Sequence, residues 1–182
     1  MTKRSPKEIA LRIGFILVGV MGAGLGCACY ILADLGSDPV TAFVQGLGAS
    51  LGGTPGLGTN ILNGVAFVLL LIINRKLVHI GTFLYTFLLG SMADVFIFLL
   101  GMLLGPAPGI AVRVILLVLG TLAIACGLGL YQAAELGIGP TDGINQTIVA
   151  KTGPIYRLER ILSDLVVAVS GWLSGVVIGR GH

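Results

Sequence analysis

Ile13-Gly-Phe-Ile-Leu-Val-Gly-Val-Met-Gly-Ala-Gly-Leu-Gly-Cys-Ala-Cys-Tyr-Ile-Leu32 is a run of apolar and small residues without a charge. As a helix rising about 1.5 Å per residue, it reaches the roughly 30 Å of a bilayer's hydrocarbon core. Lys3, Arg4, Lys7 and Arg12 precede it, as in a secretory signal, but the run is too long for a signal's apolar core. Lipoprotein processing at Cys27 is the other alternative. A matching segment recurs later in the chain, where no signal is cleaved, so the run reads as a retained span.

The rest of the composition agrees with that reading. Of 182 residues, 55% are hydrophobic and 10% charged, mean hydropathy is +1.02, and glycine occurs 29 times. A soluble domain needs about a quarter of its residues charged to face water. Soluble enzymes and disulfide scaffolds are therefore excluded. A net charge of +3, scattered along the chain, is no nucleic-acid footprint. Cys27, Cys29 and Cys126 fall in apolar segments and read as packing residues, with no disulfide or zinc spacing.

The apolar stretches predict long spans at about 9–33, 57–74, 78–104, 110–134 and 158–179, with shorter pieces near 39–51 and 140–151. A helix of about a dozen residues rises roughly 18 Å, too little to cross. Both short pieces follow similar turns, Asp34-Leu-Gly-Ser-Asp-Pro39 and Glu135-Leu-Gly-Ile-Gly-Pro140. Sliding the sequence by 101 positions places Arg12 on Arg113, Gly19 on Gly120, Gly26 on Gly127, Tyr30 on Tyr131, Pro39 on Pro140, Gln45 on Gln146 and Asn63 on Asp164, without a gap. The expected organisation is one transmembrane domain over 1–182: a first repeat over about 9–74, a connecting span over 78–104 and a second repeat over 110–179.

Charge placement orients the copies. With re-entrant short helices, five spans put Lys3/Arg4/Lys7/Arg12, Arg75/Lys76 and Lys151/Arg157/Arg160 on one side and leave Arg113 and Arg180 opposite. Crossing short helices would scatter these clusters. The expected fold is therefore all-α: a polytopic helical membrane protein with five transmembrane spans, two short re-entrant half-helices and an internal inverted repeat, its N-terminus cytoplasmic. Discontinuous helices in such proteins place their ends around a polar site near the midplane.

Site residues follow from this frame. Asp38 with Pro39, and Pro140-Thr141-Asp142, are helix starts, where unsatisfied amides and the helix dipole favour an anionic or hydrogen-bonding solute. Capping alone is the structural alternative. Asp94, in Gly90-Ser-Met-Ala-Asp94, lies mid-span and is the strongest single candidate, since a carboxylate in hydrocarbon needs a partner or water. Its structural alternatives are capping irregular backbone or pairing with Arg113. Asn63, Asp164, Thr41, Gln45 and Gln146 complete the polar set, with Asn145 beside Gln146. Tyr30 and Tyr131 read as interfacial anchors. Gly22 and Gly26, and Gly171-x3-Gly175-x3-Gly179, form smooth stripes that serve either a homodimer or packing within the chain.

Leu35-Gly-Ser-Asp-Pro39, Leu136-Gly-Ile-Gly-Pro-Thr-Asp142, and Ile80-Gly-Thr82 followed by Gly90 and Asp94 resemble the YczE/YyaS/YitT group of small bacterial integral membrane proteins, over about residues 8–178. The resemblance implies a bacterial inner-membrane location and little about substrate. The residues themselves lead to a transporter or channel for a small polar or anionic solute, with Asp94 as the proton or cation carrier if transport is coupled. The alternative is a non-transporting binding or assembly module, such as the substrate-binding subunit of a multi-component vitamin importer. No paired metal ligands, His–Asp cluster or Ser/Lys dyad points to an enzyme, and no cofactor is expected. His79 and His182 fall at membrane ends.

Overall fold

The computed structural model describes residues 5–35, 39–105, 108–152, 161 and 165. Six α-helices follow in order: α1 (Pro6–Ala33), α2 (Pro39–Ser50), α3 (Pro55–Ile73), α4 (Ile80–Leu104), α5 (Ile110–Ala133) and α6 (Pro140–Thr152), with one 3-10 turn at Arg75–Leu77. Local chemistry explains the starts. The Glu8 carboxylate accepts from the Ser5 amide at 3.0 Å, and the Thr54 hydroxyl oxygen accepts from the Leu57 amide at 3.2 Å. Proline occupies the first turn of α1, α2, α3 and α6, where its missing N–H costs nothing. At α4 the exposed donor is met from elsewhere in the chain: the Gly81 amide donates to the Leu136 carbonyl at 2.9 Å.

Among the described residues four helices are long and apolar enough to cross a membrane: Lys7–Ala33 within α1, and α3, α4 and α5. Their outward faces carry large apolar side chains, including Leu103, Ile72 and Met102 at 80%, 75% and 72% exposure, a surface suited to lipid. α2 and α6 have 12 and 13 residues, and their boundaries fall within a residue of the short pieces read from sequence. The expected fifth span, 158–179, lies outside the described residues.

Glycines set the helix approaches. α1 and α5 run antiparallel in direct backbone contact. A Cβ on Gly19 would lie 2.7 Å from the Gly127 carbonyl oxygen, and one on Gly26 would lie 2.7 Å from that of Gly120. Gly22 faces Gly127 and Ala123. The first-helix stripe is therefore spent on packing within the chain; the last-helix stripe lies outside the described residues. α4 runs parallel to α1, with Gly81 against Ile16 and Gly24 against Met92. α3 runs antiparallel to α4, through Gly56 on Gly90 and Phe67 edge-on to Phe83 at 6.2 Å. The 3-10 turn bearing Arg75 and Lys76 thus lies at the same end of the bundle as Arg12.

α2 folds back on α3 as a tight hairpin. Gly58 abuts the Val44 carbonyl, Gly48 abuts Thr54, and the turn closes with the Gly53 amide donating to the Gly48 carbonyl at 2.9 Å, with Gly52 at φ +65°. α6 packs along α3 in the same direction, with Gly143 on Leu70 and the Asn74 amide group donating to the Thr147 hydroxyl at 3.3 Å.

Two residues other than glycine have positive φ among those described, Asp34 at 47° and Glu135 at 50°, each just past the end of a long helix. They are 101 positions apart. Arg12 donates to the Ala134 carbonyl at 2.7 Å and the Glu135 carboxylate at 3.0 Å, while Arg113 lies 3.6 Å from the Asp34 carboxylate and donates to the Pro108 carbonyl at 3.1 Å.

Candidate functional site: two cavities around the first turn of α6

An inner cavity of about 360 Å³ opens where the two short helices begin. Thr41 lines it from the first turn of α2 and Thr141 from the first turn of α6, joined by Thr59 and Asn63 of α3, Tyr30 of α1 and Tyr85 of α4. Thr41 and Asn63 are 8% and 5% exposed, so these are polar groups held in the interior. Among the described residues its lining contains no Asp, Glu, Lys, Arg or His. Hydroxyls and an amide, with apolar walls, suit a small solute bound by neutral donors and acceptors.

A second, outer cavity of about 580 Å³ lies toward the Arg12 end. His79 before α4, Gln132 and Glu135 at the end of α5, and Asp142 and Gln146 of α6 line it. Three sequence candidates that read as one site are thereby separated: Thr141 belongs to the inner cavity, its neighbour Asp142 and Gln146 to the outer one. Helical geometry gives the reason, since adjacent residues point about 100° apart around the axis.

Asp94, the strongest single candidate from sequence, is hydrogen-bonded to the start of α3. Its carboxylate accepts from the Gly56 amide at 2.8 Å and from the Thr54 hydroxyl at 2.5 Å, and it lines neither cavity. Both oxygens serve the start of α3, where the Gly56 amide, the Thr54 hydroxyl and the helix dipole favour an anion. This is the backbone-capping alternative rather than a pair with Arg113, whose carboxylate neighbour is Asp34. Next to it, the Asn60 side chain accepts from the Gly90 amide at 3.1 Å and donates to Ser91 at 3.2 Å. Asn60 was not singled out from sequence; its polarity in mid-span, one turn before Asn63, was the available signal.

Gln45 is half-buried and lines neither cavity. Asp38 and Asp164 lie outside the described residues. Tyr131 is not an interfacial anchor: it is 2% exposed, packed with Ile16, Val20, Ala23 and Leu89. The close α1–α5 approach at Gly19 encloses it. Tyr30 shares a 2.9 Å hydrogen bond with Thr121 and borders the inner cavity. Among the described residues no group of His, Cys, Asp and Glu is placed to hold a metal ion.

Comparison with known proteins agrees with a membrane protein. A protein of Bacillus subtilis (strain 168) described as an uncharacterized membrane protein, YczE, is 30% identical over 179 residues, covering 96% of this chain and 80% of its own. An uncharacterized protein of Haemophilus influenzae (strain ATCC 51907 / DSM 11121 / KW20 / Rd) is 25% identical over 169 residues, covering 93% and 75%. No solved structure matches. A family model, described as a family of unknown function (DUF6198), matches residues 10–181, and the chain belongs to that family.

Proposed function

We propose that the protein is a membrane transporter or channel for a small polar or anionic solute, bound in the inner cavity between the first turns of α2 and α6. The observation that carries this reading is that Thr41 and Thr141, from helices far apart in sequence, line one interior space with Asn63. Its volume of about 360 Å³ falls within the range of small-molecule sites, roughly 300–1,000 Å³. Helix starts turn partial positive charge toward such a space, which favours a carboxylate, phosphate or carbonyl on the solute.

On this reading the two short helices are re-entrant and the long helices form inverted copies. The antiparallel contact of α1 with α5, the paired Arg12–Glu135 and Arg113–Asp34 contacts, and the matching φ of Asp34 and Glu135 support it. The membrane is the bacterial inner membrane. The end bearing Arg12, Arg75 and Lys76 faces the cytoplasm, in keeping with the excess of basic residues there. The solute passes unchanged and no reaction is catalysed.

The test is uptake of a panel of radiolabelled carboxylates, phosphates and neutral polar metabolites by proteoliposomes. The expected outcome is uptake of at least one of them above protein-free vesicles, abolished by Asn63→Leu in protein that remains folded. Uptake that Asn63→Leu leaves unchanged would remove the inner cavity from the path.

A further inference from the structure

The two cavities meet at a defined level of the bundle. Along α4 the lining changes from the outer cavity at His79 to the inner one at Tyr85, and along α5 from the outer at Leu128 to the inner at Ile124. Along α6 it changes between consecutive residues, Asp142 outer and Thr141 inner. At that level the Tyr85 and Tyr131 rings stack with centroids 4.9 Å apart and planes at 43°. The Cβ position of Gly139 lies 3.5 Å from the Tyr85 ring and 3.6 Å from an Asp142 oxygen, so the α6 first turn closes directly on the ring. Tyr131 is buried, and among the described residues its hydroxyl makes no hydrogen bond of ordinary length, Thr82 being the polar side chain that faces it. A buried hydroxyl left unpaired is costly and is relieved when a neighbouring element moves or a polar ligand arrives.

We infer that the Tyr85–Tyr131 pair and the first turn of α6 form the barrier between the outer and inner cavities, closed in the conformation described. The inference rests on the transport reading for its purpose, but not for its geometry. In the closed state the outer cavity admits small water-soluble molecules from the Arg12 face, and the rings stop them short of Thr41 and Asn63. Opening separates Tyr85 from Gly139 and makes the Tyr131 hydroxyl available to the solute. The barrier is aromatic and narrow, so shortening one ring is enough to breach it.

Cys27, which lines the inner cavity, is a native reporter. With Cys29 and Cys126 replaced by alanine, a small membrane-impermeant thiol reagent is applied to vesicles from the Arg12 face. The rate is compared with that of Gln146→Cys in a background lacking all three native cysteines, each normalised to its rate in denatured protein. Cys27 is expected to react slower by about tenfold or more, as a site reached only through local opening does. Tyr85→Ala is expected to bring its rate to within about threefold of Gln146→Cys, whose own rate stays unchanged. Equal rates without the tyrosine substitution, or a Cys27 rate insensitive to Tyr85→Ala in folded protein, would overturn the barrier. The first comparison stands even if Tyr85→Ala does not fold. Labelling needs no solute, so absent uptake with a confirmed barrier counts against the transport reading alone, whereas uptake with an unprotected Cys27 counts against the barrier alone.

Discussion

The Arg12 guanidinium lies 3.0 Å from the Glu135 carboxylate, and adding 101 to the first number and subtracting it from the second gives Arg113 and Asp34, which meet at the other end of the same helix pair. Each arginine stands in the first turns of one long helix and each acid just past the end of the other. Each acid has positive φ, so the chain turns sharply at the same point past the end of both helices. The two contacts are not equal. Arg12 also donates to the Ala134 carbonyl of the opposite helix end at 2.7 Å, whereas Arg113 stands at 3.6 Å from its acid and donates to the Pro108 carbonyl just before its own helix.

That inequality is measurable. Arg12→Ala should destabilise the protein by about 1–2 kcal/mol, because it removes a charged donor from the carbonyl end of α5 as well as the ion pair. Glu135→Ala should cost less, since the carbonyl contact survives and exposed ion pairs contribute about 0–1 kcal/mol. Arg113→Ala should fall below Arg12→Ala. Thermal melts in detergent check the order; a larger loss from Glu135→Ala than from Arg12→Ala would contradict it.

Glycine substitutions should divide by contact. Gly19→Ala places a methyl 2.7 Å from the Gly127 oxygen, and Gly56→Ala drives one into the Gly90 carbonyl and the Asp94 carboxylate. Each forces its helix pair apart and should cost about 1–3 kcal/mol. Gly14 and Gly64 meet nothing within 4 Å. Alanine at either should be neutral or stabilise by up to about 1 kcal/mol through helix propensity. The four variants compared by melting temperature test the helix contacts.

Asp94 separates a cap from a carrier. If its carboxylate mainly holds the start of α3, Asp94→Ala should destabilise by about 1–2 kcal/mol. Asp94→Asn, which keeps an acceptor for the Gly56 amide, should recover about half of that loss. Uptake per folded protein should survive Asp94→Asn. Abolished uptake at normal stability would restore Asp94 to the pathway.

The inner cavity should respond to the loss of its polar groups. Thr41→Val removes a hydroxyl at nearly constant volume and should weaken solute binding by about 1–2 kcal/mol. Asn63→Leu removes the amide as well and should abolish binding. Each substitution should cost no more than about 1–3 kcal/mol of stability, since side-chain volume is nearly kept and one buried polar group is removed. Solute-induced shifts in melting temperature provide the readout.

Sequence alone determined the four long apolar helices among the described residues, the boundaries of both short ones to within a residue and the 101-residue correspondence. Each rests on local composition: length against bilayer thickness, proline at a helix start, and polar turns between apolar runs. It also pointed to Thr41, Asn63 and Thr141 as polar groups inside apolar segments, a feature visible without coordinates, and these three line one cavity. Tertiary structure decided what those groups face. Asp94 meets the start of α3 because Gly56 and Gly90 let α3 approach α4 until the Gly56 amide reached the carboxylate. Tyr131 became interior because Gly19 drew α1 onto α5. Thr141 and Asp142, neighbours in the chain, were sent to different cavities by the rotation of one residue around a helix. Spacing along a chain fixes direction around a single axis, but which neighbour stands in that direction depends on how closely the backbones pack.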